Sequence, residues 1–397
     1  MMKKTLLGLL IASSLYANTA FGQDQKNNVV TTAVPFLLIS PDARAGGMGD
    51  QGVATLPDEN SISWNLAKLA HLEQTSGVSV SYSPWLQELV GDISLSNVSM
   101  FHKLNKTSAL AMNIRYFSLG DVTFRNSAED AGYTFGPNEF AISGGYSRKL
   151  TRSLSAGLTF KYVHSQLSDN AQSLTEDTKN GSTVAADVSV FYEGKTFDFS
   201  GKDAYMTYGL SINNVGGKIK YSESGDEEFL PANMRLGSGL HVTIDDYNSV
   251  SFTAELSKLL VPTPPERVGG AESEIISGKD PNVGVVGGIF QSFTDSPDGE
   301  TELQEVMWSF GAEYWYNKQF AFRGGFFHEN QYKGERQYAT LGLGLKLEKA
   351  SIDASYLIPT KSGSFNPLKN TLRFSLNVNL DALISPAPAE KKAEETE

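Results

Sequence analysis

The strongest constraint in this chain is an alternation of apolar and polar residues that recurs in about fourteen segments between Thr75 and Leu380. Leu110, Met112, Ile114 and Tyr116 alternate with Ala109, Ala111, Asn113 and Arg115. Leu154 to Tyr162, Val184 to Tyr192, Met234 to Ile244, Val306 to Tyr314 and Leu372 to Leu380 repeat the pattern. A period of two is the signature of a β-strand with two unlike faces. The charges keep to one face: Arg115, Glu139, Lys161, Asp187, Arg235, Glu255, Glu313, Arg323, Asp353 and Arg373 all share the parity of the polar side. A soluble sandwich turns its apolar face inward, whereas a membrane barrel turns it to lipid and keeps a polar lumen.

Strand length and connection length choose between these. Many of the runs reach ten or more residues, enough for a tilted span and longer than the usual strand of about five or six. Short turns at 104–107, 149–153, 245–248, 317–319 and 346–350 alternate with long loops at 118–138, 166–182, 214–231, 258–305 and 359–370. Short turns on one side and long loops on the other are the pattern of an outer-membrane barrel. The chain therefore reads as all-β, a 14-stranded antiparallel transmembrane β-barrel over 75–380. An even strand count places both termini in the periplasm. Aromatic strand ends such as Tyr314-Trp315-Tyr316 and Phe326-Phe327 fit a headgroup belt.

The flanking segments differ in character. Lys3 and Lys4, the apolar stretch Thr5–Ala17 and Ala20-Phe21-Gly22 read as a secretory signal peptide over 1–22. Residues 23–74 lack alternation and contain small-residue stretches suited to close packing, the composition of a plug inside the barrel. The tail 381–397, rich in Pro, Ala and charge, reads as a disordered periplasmic extension.

Composition removes several functions. The absence of cysteine excludes disulfide scaffolds, thiolate catalysis and Cys-ligated zinc. A net charge of −12 argues against a nucleic-acid partner, which needs a basic face. The five histidines show no metal-ligand spacing, so no metal and no cofactor is expected. His241 with Thr243 is the nearest approach to a hydrolytic pair, but no orienting acid stands close in sequence. The expectation is a protein that is not an enzyme and works through shape and surface. The loop 258–305 carries the apolar run Val283–Phe290, with Ile289 and Phe290 as candidate partner contacts. Gly120 at the end of the third strand suggests a bend and a lateral rim formed by Gly120, Asp121, Val122 and Phe124, with Asp121 on the lumenal face by parity.

These residues also carry a resemblance. ARAGGMGDQGVAT (43–55) and SWNLAKLA (63–70) resemble the plug of FadL-like outer-membrane transporters, with Asn65-Leu66-Ala67 in place of their Asn-Pro-Ala motif. RYFSLGDVTF (115–124), SFTDSPDGETELQEVMWSFGAEYWYN (292–317), FRGGFFHEN (322–330), KGERQYATLGLGLK (333–346) and DASYLIP (353–359) are similar to the PorV family, the FadL-like barrels of the type IX secretion system of Bacteroidota. The block 292–359 is the most diagnostic. The resemblance implies a fourteen-stranded barrel with an N-terminal plug, in which Asn65 and Ala67 form the plug motif. It implies a non-enzymatic secretion role. The partners would be the type IX translocon barrel, secreted cargo with a C-terminal signal domain, a sortase-like surface attachment complex and outer-membrane lipid. The alternative is a FadL-like transporter of hydrophobic small molecules, and an envelope hydrolase is a third reading.

Overall fold

A computed structural model describes residues 28–85, 91–125, 132–167, 178–268, 273–297, 301–360, 369 and 371–384. The segment 1–22, expected to be a signal peptide, and the tail beyond Ile384 lie outside the described residues. Fourteen long strands form one closed ring. They are β1 (Ser76–Pro84), β2 (Ile93–Asn105), β3 (Ser108–Leu119), β4 (Asn138–Lys149), β5 (Leu154–Gln166), β6 (Gly181–Glu193), β7 (Lys202–Gly216), β8 (Asn233–Thr243), β9 (Ser249–Leu259), β10 (Met307–Tyr316), β11 (Phe320–His328), β12 (Gln337–Lys346), β13 (Ala350–Pro359) and β14 (Leu372–Asn379). Every neighbour pair is antiparallel, and β1 closes the ring on β14 from Gly77↔Asn379 to Tyr82↔Phe374. A short strand, Phe197–Phe199, forms a hairpin with the start of β7.

Closure follows from the solvent. Strand edges cannot stay unpaired in hydrocarbon, so a spanning sheet must join its own ends. The two faces are those of a membrane barrel. Val80, Met112, Leu158, Val188, Phe310 and Leu343 stand on the outer face and are exposed. Ser79, Ser81, Asn97, Asn113, Arg115, Asp187, Glu255, Glu313, Arg323, Asp353 and Arg373 point inward and are buried. All the strand charges that sequence parity grouped together thus line the lumen side.

The N-terminal segment lies inside the ring and packs against its wall. Asn28 donates its amide to Tyr332 O, in the loop between β11 and β12, and Ala33 donates to Phe229 O, in the loop between β7 and β8. At the other end Lys103, beside the β2–β3 turn, donates to Thr75 O. The segment therefore runs from the long-loop end of the barrel to the short-turn end. It has no strand of its own; it is made of 3₁₀ turns (Pro35–Leu38, Ser61–Ser63, Leu66–His71) and a single α-turn, Ala43–Gly46. Two apolar layers hold it. Near the long loops Val34, Phe36 and Ile219 pack with Leu95, Phe117 and Val163, and the Phe36 and Phe117 rings stack at 6.1 Å. Near the short turns Ile62, Leu66 and Leu69 pack against Phe101, Ala109 and Ala111.

Asn28, the first described residue, is at the long-loop end of the ring and Ile384 at the short-turn end. One expectation changes here: the C-terminal extension is not unstructured from 381, because Leu380–Ile384 form a short helix. Asp381 there accepts the Thr75 amide, a contact that composition alone does not show.

Candidate functional site

The motif Asn65-Leu66-Ala67 is built into the lumen. Asn65 caps the turn Leu66–His71, its Oδ1 accepting the Ala67 amide at 3.1 Å. Its Nδ2 donates to Val53 O at 2.9 Å and to Val190 O on β6 at 3.0 Å. Ala67 O accepts from Ser155 Oγ on β5 at 2.8 Å. The capping side chain thus also joins the segment to β6, and the Ala67 carbonyl joins it to β5. The segment's backbone lies directly on the wall where glycine permits it: a Cβ on Gly209 would sit 2.0 Å from Val53 O, and one on Gly325 2.1 Å from Gly49 N.

Ion clusters make the other joints. Arg44 Nε and Nη2 grip both oxygens of Glu313 at 2.9 Å, and Arg44 Nη1 reaches Asp58 at 2.8 Å. Arg323 bridges Glu313 and Asp353, each at 2.7 Å. Asp50 receives Arg373 Nη1 at 3.0 Å and the Tyr338 hydroxyl at 2.6 Å. Bidentate guanidinium–carboxylate bonds are among the strongest polar contacts available to a protein.

The rim residues are placed differently from expectation. β3 stays paired through Leu119 on β2 and through Ser118 on β4, so Gly120 opens no gap in the wall. Gly120 has φ +81°, and a Cβ there would strike Asp92 Oδ1 at 2.4 Å. It starts a turn in which the Asp121 amide donates to Asp92 Oδ2 at 2.7 Å. Asp121 consequently stands exposed beyond the strand rather than on the lumenal face. Val122–Phe124 then pairs with Tyr133–Phe135 as a small hairpin above the ring. Parity fails at Gly120 because the strand has already ended.

Ile289 and Phe290 lie on the helix Val285–Gln291, in the β9–β10 loop. Phe290 is 72% exposed and Val286 66%. In the ring order the β3–β4 loop and the β9–β10 loop are nearly diametric, so the two groups of rim residues form no single patch. Sequence reasoning missed what anchors the second loop. Lys258 at the end of β9 bonds Glu302 at 3.1 Å and also Glu305, and Lys333 reaches Glu305 at 3.2 Å. Asp295 accepts the Thr263 amide at 3.0 Å, and Glu302 accepts the amides of Asp295 and Ser296. Asp295, Glu302 and Glu305 are close enough to suggest a metal centre, but the two lysines already neutralise most of their charge. Burial pushes the Asp295 carboxyl up; the Thr263 amide opposes this and the Glu305 and Glu302 charges add to it. Burial also works against ionised Glu302, yet the Ser296 amide and Lys258 hold its carboxyl below the ordinary range. The spacing of these acids over eleven residues of loop carries no recognisable motif.

His241 does not pair with Thr243, whose side chain is exposed. Its Nδ1 shares a hydrogen bond with Ser251 Oγ at 2.8 Å on β9, and its Nε2 with Thr207 Oγ1 at 2.9 Å on β7. Both partners come from neighbouring strands, which sequence spacing cannot reveal.

Similar folds occur among solved structures. The Ralstonia pickettii toluene transporter TbuX is 13% identical, over 86% of this chain and 97% of its own, with a TM-score of 0.44. The Pseudomonas putida toluene transporter TodX is 10% identical, over 89% and 98%, with a TM-score of 0.46. A Pseudomonas aeruginosa FadL homologue is 11% identical, over 89% and 99%, with a TM-score of 0.40. No curated protein matches the sequence. The family profile described as type IX secretion system protein PorV matches residues 22–266, more than half of the chain, and leaves the 292–359 block outside the match. By that match the chain, a closed barrel of fourteen strands, belongs to the PorV family of type IX secretion system proteins.

Proposed function

We propose that this outer-membrane component of the type IX secretion system binds secreted cargo beside the translocon barrel and passes it to the surface attachment complex. One observation carries the reading. The β9–β10 loop is folded and anchored by its lysine–carboxylate cluster, yet it presents Val286, Phe290 and Leu303, the last 82% exposed. Large apolar side chains held in water on a rigid support favour a protein contact. In this reading the long loops face outward and the N-terminal segment acts as a plug. The family's C-terminal signal domains are the cargo element recognised. In this reading the role is binding rather than catalysis.

A second reading, carriage of a hydrophobic small molecule, has one supporting feature. A cavity of about 190 Å³ lies among Leu38, Ile39, Trp85, Met307 and Phe327. The two are separated by photocrosslinkers at Val122, Ile289 and Phe290 in secreting cells. Crosslinks to cargo or to the translocon barrel support the secretion role. Crosslinks only from a residue of the short turns, such as Asn248, would defeat it.

A further inference from the structure

We propose that the short-turn rim of β2–β5 holds the headgroup of an anionic phospholipid, through Lys106, Arg148 and Arg152. The proposal rests on the barrel and not on the secretion reading. The turns 104–107 and 149–153 contain no acid. They stand side by side, because Ser108 pairs with Arg148 and the Lys149 amide donates to Thr107 O at 2.7 Å. Lys103, Lys106, Arg148, Lys149 and Arg152 therefore share one stretch of rim. Strand parity divides them. Lys103 and Lys149 share the parity of the inward Phe101 and Ser147, and Glu73 and Glu193 act on them there. Asp381, at the seam, accepts the Thr75 amide. Setting Glu73, Glu193 and Asp381 against the five cations still leaves the stretch positive. Lys106, Arg148 and Arg152 are exposed, and among the described residues no carboxylate lies within ion-pair distance of them.

The setting of Arg148 points to a lipid. Arg148 has the outward parity of Tyr146, which is exposed on the lipid face. Its neighbours across the strands are Ser108 on β3 and Ala156 on β5, so no bulky side chain flanks it. One row further into the membrane, about 7 Å along the strand, Leu110, Tyr146 and Leu158 are paired in register and all exposed. Leu104 and Leu150 stand exposed beside the turns. A cation beneath an apolar row matches an amphipathic ligand, with acyl chain on the row and phosphate below it. The guanidinium offers paired donors to phosphate oxygens, and Lys106 and Arg152 stand in the turns on either side. An acidic protein approaching from water would not need a cation on the lipid face. A zwitterionic headgroup brings its own ammonium and would leave the excess uncompensated, so charge favours an anionic one. The next turns along the rim differ: Lys195 and Lys202 are offset by Asp198 and Asp203, and the turn after carries Asp245 and Asp246.

The test uses the full chain in nanodiscs of phosphatidylethanolamine, alone or mixed with increasing phosphatidylglycerol. Native mass spectrometry measures the lipid the protein retains, and gel mobility of the unheated barrel checks folding. The expected result is saturable retention of phosphatidylglycerol in preference to phosphatidylethanolamine. Arg148→Gln and Arg152→Gln should each weaken it roughly fivefold, the scale of one basic side chain at an anionic surface. Arg148→Lys should lose less, since it keeps the charge without the fork. Lys318→Gln, which removes one cation from the β10–β11 turn, should retain lipid as the wild type does. If Arg148→Gln does not fold, Arg152→Gln in the exposed turn decides. Equal retention of the two lipids, an equal loss in Lys318→Gln, or undiminished retention in the folded glutamine variants would overturn the proposal. So would loss of a co-purifying acidic protein from those variants with lipid retention unchanged.

Discussion

Arg323 on β11 and Glu313 on β10 face each other across the strand pair at 2.7 Å, and Glu313 is completed from inside the lumen by Arg44. One carboxylate therefore ties two barrel strands to the N-terminal segment. Removing it leaves two buried guanidinium groups short of a partner. Glu313→Gln should lower barrel stability by about 3–5 kcal/mol. Retention of the wild-type transition in heat-modifiable gel mobility would show that the cluster is dispensable.

The outward face of β12 offers a test of lipid contact. Leu343 is 60% exposed on that face, and Leu343→Arg should cost about 2–4 kcal/mol and impair assembly. Lys346→Gln, at the open short-turn end, should assemble normally. Gly344 is unsuitable as the inward comparison, since a Cβ there would lie 2.6 Å from Asp353 Oδ1. Equal assembly of the Leu343 and Lys346 variants would contradict the assignment of faces.

Chain direction can be read with single cysteines in this cysteine-free protein. If the long loops face outward, Val29→Cys and Glu274→Cys should react with an impermeant maleimide on intact cells, and Asp246→Cys should not. Labelling of Asp246 with protection of Val29 would reverse the orientation.

Asn65→Ala removes the cap of the Leu66–His71 turn and two hydrogen bonds to backbone carbonyls. A loss of about 1–3 kcal/mol is expected, with the Val53 and Val190 carbonyls left short of a donor. Asn65→Asp should be at least as harmful, because it keeps the cap but places a carboxylate against those carbonyls. Hydrogen exchange of the Val53–Ala67 amides measures the effect; unchanged protection would mean the cap is not what holds the segment.

The β9–β10 loop should respond to pH through Asp295. Its carboxyl is raised in the folded loop, so its contribution to stability is full below the ordinary aspartate pKa and is lost as pH rises through the raised value. Glu302, lowered in the folded loop, works in the opposite sense and loses its contribution as pH falls. Asp295→Asn should therefore slow proteolysis of the loop at neutral pH, with the advantage shrinking toward acid. An advantage that grew on acidification would refute the assignment.

Much of this was legible before any coordinates. Alternation predicted about fourteen strands and placed those it named, because a residue's face in a paired strand depends only on parity. Charge parity located the lumen for the same reason. Parity failed at Asp121, one residue past the end of β3, and it was silent on Asn28, which belongs to no strand. The partners of His241 and the lysines of the β9–β10 loop were illegible for a different reason. Their contacts cross between strands or loops, and nothing in linear spacing encodes them.

The passage of residues 28–75 through a closed ring also constrains how the molecule is made. β1 follows Thr75 directly and forms the seam with β14, the last of the fourteen ring strands in chain order. A ring sealed first would have to admit nearly fifty residues, including Arg44, Lys68 and Trp64, through a lumen whose wall they later touch closely. A ring sealed last encloses them where they already lie. The seam is then the final step of assembly, and the N-terminal segment is the core around which the sheet is wrapped rather than a stopper fitted afterwards.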